Sequence, residues 1–353
     1  MKILIFFLFF TFSLFSQESL KGKTMYVVTE SGSLNMRSKA PDGKVIQKIP
    51  KGEKVKVLEV GGSVDSIPYG WLEIEYSKKK GFVSREFLAI EPPENLEKLS
   101  LIGYLVMDSN GNKSLIRPIA YSTGKKWEGA GGDDTETNYF LKMAIKNKTP
   151  FTILSSSGSE LTKTQITAIE KSGCQENLAG KGNLPSKFLK TDESLFVVHS
   201  TNVSPVKLTD KVSSAFKTEV KKLARPDFLK SGASEETLNF EWKEKFNLVD
   251  SSKGKFLISR IGLVNEGAEY YNLIYIYETD GNKLGKLVFK KVESLPEETR
   301  FYGGAFHLEG SFLLLGKLIL LFHDSGFDGF LKSIYEWDGK EFKLLASGGG
   351  DAC

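Results

Sequence analysis

The stretch from residue 34 to residue 88 constrains the fold more than any other part of the sequence. Apolar and polar residues alternate in several short runs, such as residues 34–38 and 71–76, and this alternation is typical of β-strands with one buried face. Turn signals separate the runs, at Asp42-Gly43, Pro50-Lys51-Gly52 and Lys78-Lys79-Lys80-Gly81. Five short strands within about 60 residues predict a small β-barrel, which removes exposed strand edges.

Several pieces of this stretch resemble the bacterial SH3-type domain. They are Leu34-Asn35-Met36-Arg37-Ser38, Val45-Ile46 with Lys51-Gly52-Glu53-Lys54-Val55, Trp71-Leu72-Glu73-Ile74, and Gly81-Phe82-Val83-Ser84 before Phe87-Leu88. Their order and spacing identify residues 24–90 as similar to this family, although the loop before Trp71 is longer than usual. The resemblance implies a module that binds cell-wall peptides or glycan, or that docks onto a neighbouring domain. It does not imply catalysis.

Four residues of the predicted barrel are candidates for ligand binding. Tyr69 and Trp71 flank the long loop, while Asn35 and Arg37 share the polar face of the opening strand. In a groove the two aromatic rings would supply stacking area and Arg37 a charged anchor. The alternative is that Trp71 belongs to the core and that Arg37 pairs with a glutamate such as Glu73.

Residues 1–16 are typical of a secretory signal peptide. One lysine precedes an apolar run, and Ser16 is a small residue at which cleavage can follow. The run is too short for a bilayer span, although an uncleaved anchor is the alternative. We expect an exported protein, periplasmic, envelope-associated or secreted, with no integral membrane segment after cleavage. An N-terminal lipoprotein is excluded because the only cysteines are Cys174 and Cys353.

The two cysteines predict a disulfide between Cys174 and Cys353. Export leads to a compartment where thiols oxidise, and two cysteines permit only one intramolecular pair. The alternative is that Cys353, on the glycine-rich segment 348–353, stays free to pair between molecules. We expect that segment to be a flexible tail.

The rest of the chain predicts a mostly β protein with one amphipathic helix. Residues 91–100 form a polar, proline-containing linker, and residues 101–205 a β-rich middle domain. Apolar residues recur at helical spacing within 206–230, with Thr209 or Asp210 as the cap and Pro226 as the stop. Removing residues 1–16 lowers the formal charge only from +4 to +3, and no dense basic cluster indicates a nucleic-acid partner.

Residues 233–347 contain an internal repeat. Ile276-Tyr277-Glu278-Thr279-Asp280-Gly281 returns as Ile334-Tyr335-Glu336-Trp337-Asp338-Gly339. Two such units predict blade-like antiparallel sheets stacked on one another. The region resembles the FG-GAP or VCBS type of integrin-like β repeat, whose members carry a calcium loop before the apolar strand. Here the equivalent loops keep one carboxylate each, Asp250 and Glu309, so we predict no metal.

Two acidic segments outside the repeats are interpreted as turns. Asn110-Gly111 between apolar runs favours a hairpin over a calcium loop, because no carboxylate stands at the distal position. Gly131 to Glu136 is interpreted as an exposed loop. We predict no cofactor.

The sequence offers no convincing catalytic constellation. Cys174 lacks an apolar helix start after it, and His323-Asp324 would point to opposite faces of a strand. His307, near Glu309, is interpreted as a core or cross-strand residue. We therefore predict a non-enzymatic binding or scaffold protein that contacts peptidoglycan or an envelope protein. The alternatives are a purely structural envelope protein whose barrel packs internally, and a cell-wall hydrolase with an unrecognised site.

Overall fold

The computed structural model describes most of the chain from residue 20 onward. The described ranges are 20–30, 32–62, 67–108, 110–124, 126–130, 135–156, 160–173, 177–184, 194–200, 202–295, 306–325 and 329–352. The chain divides into two compact units, Met1–Glu94 and Asn95–Cys353. The predicted signal peptide and both cysteines of the predicted disulfide, Cys174 and Cys353, lie outside the described residues.

The first unit contains the predicted small barrel, called here the N-terminal barrel. Its strands are β1 Thr24–Val27, β2 Ser33–Arg37, β3 Val45–Pro50, β4 Lys54–Val60, β5 Trp71–Tyr76, β6 Lys79–Ser84 and β7 Leu88–Ala89, in the sheet order β3-β2-β6-β5-β4-β1-β7. Alternation sorts the side chains as predicted: Leu34 and Met36 are buried, whereas Asn35 and Arg37 face outward. A 3₁₀ turn, Arg85–Phe87, connects β6 to β7.

The second unit begins with a closed antiparallel barrel, the middle barrel. Its elements are β8 Ser100–Met107, β9 Lys113–Ser122, β10 Trp127–Gly129, β11 Pro150–Ser155, β12 Glu160–Ser172, β13 Asn177–Gly182 and β14 Leu195–His199. β8 pairs with β9 on one side and with β14 on the other, and this double pairing closes the ring. The short strand β10 pairs with the end of β9.

Two five-stranded antiparallel sheets follow the middle barrel. The inner sheet contains β15 Val203–Pro205, β21 His307–Leu314, β22 Lys317–Ser325, β23 Gly329–Trp337 and β24 Phe342–Ala352. The outer sheet contains β16 Lys207–Thr209, β17 Glu241–Ser251, β18 Gly254–Asn265, β19 Ala268–Thr279 and β20 Leu284–Ser294. One extended segment, residues 203–209, therefore supplies an edge strand to each sheet.

Alternate residues of the inner sheet bury against two different neighbours. In β22, Ile319 and Leu321 pack against the middle barrel, with Phe196 and Ile102 on the other side of that core. Leu318, Leu320 and Phe322 instead pack against the outer sheet, with residues such as Phe256 and Ile276. Because both faces are buried in the middle of this strand, residues 318–322 are all apolar. The predicted stack of blade-like sheets is confirmed.

The predicted amphipathic helix covers the free face of the outer sheet. The chain contains α1 Pro93–Leu96, α2 Thr135–Lys146 and α3 Ser214–Lys230. Four residues of α3 at four-residue steps are buried against the sheet: Phe216, Val220, Ala224 and Phe228. Full burial of a valine or phenylalanine side chain stabilises the folded state by roughly 1.5–3 kcal/mol.

Both predicted ends of α3 were wrong. Ser213, rather than Thr209 or Asp210, caps the helix, and its Oγ accepts a hydrogen bond from the Phe216 amide at 3.4 Å. Pro226 lies inside the helix and does not stop it. Contacts beyond the proline retain the last turn, because Phe228 is buried and Asp227 accepts a hydrogen bond from Tyr275 of β19.

The helix α2 was not predicted from the sequence. Residues 131–134 lie outside the described residues, but Thr135 and Glu136 open this helix and are buried, so they do not belong to an exposed loop. Phe140 of α2 packs edge-on against Phe151 of the middle barrel, with ring centroids 6.1 Å apart. The apolar residues of α2 thus bury against the middle barrel.

The segment predicted as a flexible tail is part of β24. Gly348 pairs with Lys332, and both Gly348 and Gly349 are buried against β9 and the end of β10. A Cβ at Gly348 would lie 2.2 Å from the Ile119 carbonyl oxygen, far inside contact distance. The prediction was wrong because the glycines serve close backbone packing, not flexibility.

The internal repeat corresponds to two similar four-stranded meanders, β17–β20 and β21–β24. Each copy of the repeated sequence forms the third strand and the turn after it. Asp280 Oδ1 accepts hydrogen bonds from the amides two and three residues later at 2.7 and 2.8 Å, and Asp338 Oδ1 does the same at 2.8 and 2.9 Å. The Asp-Gly turns are therefore equivalent.

The predicted hairpin between β8 and β9 is confirmed. Asp108 organises the turn, since its carboxylate accepts hydrogen bonds from the amides of Asn110 and Asn112 and from the Ser114 hydroxyl. Within the described ranges, no three His, Cys, Asp or Glu side chains are grouped so as to hold a metal ion. None of the described helices is long and apolar enough to cross a membrane.

Candidate functional site

A cleft opens on the outer face of the N-terminal barrel. Its volume is about 580 Å³, and it is lined by Thr29, Glu30, Ser33, Leu34, Asn35, Arg37, Trp71, Ser84, Glu86 and Phe87. Two of these residues are aromatic, two are acidic and one is basic. The lining therefore combines stacking surface with charges of both signs.

Strand register explains why the cleft forms here. Phe82 of β6 pairs with Arg37 of β2 on one side and with Glu73 of β5 on the other. Ser84 pairs with Trp71 of β5, and extending the β2–β6 register by two residues brings Asn35 level with Ser84. Asn35, Ser84 and Trp71 thus form one row across three strands.

The far end of the cleft is built by two segments outside β2 and β5. The Val28 amide donates to the Phe87 carbonyl at 2.9 Å, which brings residues 29–30 next to residues 86–87. The Ser84 hydroxyl donates to Glu86 Oε1 at 3.2 Å. Glu30 and Glu86 consequently lie at the end of the cleft opposite Arg37.

Three of the four candidate ligand residues line this cleft. Trp71 is half-buried in the lining, and Arg37 Nη1 donates to the Gly43 carbonyl at 3.1 Å. Phe82 of β6 lies between Arg37 and Glu73 in the sheet. The Arg37 guanidinium therefore contacts the Gly43 carbonyl and not the Glu73 carboxylate. Tyr69 is 80% exposed, lies beside Gly62 and is not part of the lining.

The remaining lining residues carry no sequence pattern that marks them as ligand candidates. Ser84 and Phe87 stood in the matched family pieces, but nothing indicated that they face the same cleft as Trp71. Thr29 and Glu30 precede the alternating stretch altogether. The pairing of β1 with β7 and the hydrogen bond from the Val28 amide to the Phe87 carbonyl bring them to the site.

A second polar constellation lies in the inner sheet. His307, His323 and Lys332 are cross-strand neighbours on β21, β22 and β23. Lys332 Nζ donates to Glu309 Oε2 at 2.5 Å and lies 2.8 Å from His323 Nδ1. Lys332 is only 5% exposed, and its ammonium also lies 5.0 Å from the centre of the Tyr104 ring.

This cluster is held inside the packing between the inner sheet and the middle barrel. The His323 ring stacks on Phe330 at 5.2 Å. Burial and the neighbouring Lys332 ammonium together lower the pKa of His323 to about 3, so the imidazole is neutral near neutral pH. Asp324 points the other way and binds Lys291 of the outer sheet at 3.2 Å, as expected for adjacent residues of a strand.

The third histidine has a packing role. His199 lies between Phe140 and Phe151, with ring centroids 5.4 and 5.3 Å away. Its Nδ1 lies 3.0 Å from the Pro150 carbonyl, and burial lowers its pKa. Within the described part of the chain, none of these contacts brings His199 to a carboxylate.

Lowering the pH is expected to destabilise the unit of residues 95–353. Unfolded His323 gains a proton near its ordinary pKa of 6.5, whereas folded His323 resists protonation down to about pH 3. The unfolded state therefore binds more protons in this window, so the free energy of unfolding falls as the pH falls. Urea unfolding at pH 7.0, 5.5 and 4.5 measures the slope of the free energy of unfolding against pH.

The variant His323→Gln is expected to flatten that slope while keeping an acceptor for Lys332. His199→Gln serves as a second variant, because burial also lowers the pKa of His199. An unchanged slope in His323→Gln would exclude this histidine as the source of the acid sensitivity.

Comparison with known families identifies the N-terminal barrel. Residues 32–89 match the bacterial SH3 domain, and the cleft described above lies on this domain. A comparison with curated proteins gave no match. The first unit therefore contains a bacterial SH3 domain, and the matched residues include every strand from β2 to β7.

Proposed function

We propose that the chain is an exported, non-enzymatic binding protein whose bacterial SH3 domain binds peptide material of the cell wall. The observation that carries the proposal is the cleft, which places Trp71 and Phe87 beside charged groups of both signs. Aromatic rings with a few convergent polar groups are the usual lining of a binding site. The signal-like residues 1–16 support export, and the family supports an envelope location.

The stacked sheets of the second unit are proposed to serve as a platform. Their assignment to the FG-GAP or VCBS type remains a prediction that rests on the resemblance in residues 233–347. The structure offers a reason to prefer a platform to a hydrolase. Among the described residues, the cluster that joins histidines to a carboxylate lies within the packing, with the Lys332 ammonium in contact with Glu309 and His323.

Binding of the full-length mature protein to purified peptidoglycan sacculi tests the proposal. Trp71→Ala is expected to weaken sedimentation with sacculi roughly tenfold or more, because the central aromatic residue of a site commonly contributes the most binding energy. Tyr69→Ala is the matched control: it removes an exposed aromatic residue outside the cleft and is expected to bind normally.

A second variant separates binding from folding. Asn35 is exposed within the cleft, so Asn35→Ala is expected to weaken binding without changing the melting temperature. Normal binding by Asn35→Ala, together with unfolding of the barrel by Trp71→Ala, would exclude the cleft. Equal capture of all variants by an envelope protein extract, with none by sacculi, would favour a protein partner elsewhere on the surface.

A further inference from the structure

The charges of the cleft are separated along its length. Ser33, Asn35 and Arg37 line it at two-residue steps along β2. The four residue steps from Ser33 to Arg37 span about 13 Å, at about 3.3 Å per residue in an extended strand. The guanidinium of Arg37 marks one end, and the carboxylates of Glu30 and Glu86 mark the other.

Thr29 contributes a second, independent observation. This residue is 8% exposed and lines the cleft, and its Oγ1 has no hydrogen-bond partner among the described residues. Leaving a buried hydroxyl unsatisfied is unfavourable, so such groups are usually paired. The hydroxyl oxygen itself has almost no accessible surface, so a polar group of a ligand becomes its partner only when the Thr29 side chain rotates toward the cleft.

The Arg37 guanidinium is oriented but not saturated. One of its five N–H donors is used by the Gly43 carbonyl, which fixes the side chain at the rim of the cleft. The planar fork of an arginine matches a carboxylate, which it binds with two parallel hydrogen bonds. At the opposite end, the carboxylates of Glu30 and Glu86 are suited to accept hydrogen bonds from the ammonium group of a ligand.

We propose that the cleft binds a zwitterionic peptide segment of about three to four residues, a length that matches its span at about 3.3 Å per residue. The ammonium group of the segment lies at Glu30 and Glu86, its carboxylate lies at Arg37, and a backbone amide or carbonyl bonds the Thr29 hydroxyl. Trp71 and Phe87 contact the apolar part of the segment. This inference rests on the proposed function and adds the charge and direction of the ligand to it.

The test uses full-length protein labelled with 5-fluorotryptophan, with the Trp71 signal assigned from Trp71→Phe. Tetra-alanine with free termini, its N-acetylated form, its C-amidated form and the doubly capped form are titrated by ¹⁹F NMR. The free peptide is expected to bind about fivefold or more tightly than either singly capped peptide, as expected when one charge-assisted hydrogen bond is lost.

Charge variants assign each terminus to its end of the cleft. In the double variant Glu30→Gln/Glu86→Gln, N-acetylation is expected to lose its effect while C-amidation keeps its own; in Arg37→Gln the reverse is expected. Glu75→Gln and Lys48→Gln are the matched controls, since both residues lie on the same barrel outside the lining. A second ligand, ε-acetylated or free lysine within a capped peptide, shows whether a side-chain amine replaces the terminal one.

Thr29→Val separates the role of the hydroxyl from that of the fold. Removing an unsatisfied buried hydroxyl is expected to leave the melting temperature unchanged or raised, while peptide affinity falls about fivefold. Equal binding of all four peptides, or equal loss in both charge variants, would overturn the zwitterionic ligand. If sacculi bind through Trp71 but no peptide does, this inference fails and the proposed function stands; if neither binds, both fail.

Discussion

Replacing Lys332 by methionine is expected to lower the free energy of unfolding of the second unit by about 3–5 kcal/mol. The substitution leaves the Glu309 carboxylate without its cation at a site that is nine-tenths buried, and an uncompensated buried charge is strongly unfavourable. It also removes the hydrogen bond that Lys332 donates to His323 Nδ1. Urea unfolding at pH 7 measures the loss.

A double-mutant cycle shows whether the charge, rather than the volume, is responsible. Glu309→Gln in the Lys332→Met background removes the orphaned charge and is expected to recover most of the lost stability. Lys255→Met is the matched control, because Lys255 pairs with Asp250 at an exposed position and such pairs contribute about 0–1 kcal/mol. Additive effects of Lys332→Met and Glu309→Gln would contradict the buried ion pair.

Gly348→Ala is expected to destabilise the same unit by about 3 kcal/mol, since overpacking a close contact commonly costs about 1–3 kcal/mol and here the obstacle is backbone. The new Cβ would lie 2.2 Å from the Ile119 carbonyl oxygen and within 2.8 Å of both backbone polar atoms of Ala130. Separating the strands would also weaken the 2.6 Å hydrogen bond from the Tyr104 hydroxyl to the Gly349 carbonyl.

Gly182→Ala is the matched control for this prediction. It makes the same change in a strand of the middle barrel, but its Cβ meets no atom closer than 3.3 Å. Thermal unfolding of the two variants is compared, and equal melting temperatures would contradict the close packing of β24 against β9.

Local patterns predicted the elements whose side chains alternate cleanly. The outward face of β2, the hairpin at Asp108 and the paired meanders follow from period-two alternation and from Asp-Gly or Asn-Gly turns. The side chains of Asn35 and Trp71 share a cleft because strand register brings Ser84 between them. The alternation of apolar and polar residues predicts which face of its strand each side chain occupies. Which residues lie side by side on neighbouring strands is determined only by the folded sheet.

The features that were missed depend on contacts between distant residues. The glycine run at 348–350 has the composition of a flexible tail, and only the approach of β9 shows why a Cβ is excluded there. Thr29 carries no motif and reaches the cleft through a hydrogen bond between Val28 and Phe87. Helix α2 has apolar residues at 139, 140, 143 and 144, a helical spacing that its acidic start obscured.

The contact of β24 with β9 and β10 has a consequence for biosynthesis. The partners are separated by more than 200 residues in sequence, and Gly349 donates its amide hydrogen bond to Ala130. During translation β9 and β10 emerge from the ribosome long before β24. The surface of β9 and β10 that β24 covers therefore stays exposed until β24 is made. Such distant pairing delays folding and exposes apolar surface meanwhile. The second unit is therefore expected to complete its fold only after β24 has been synthesised.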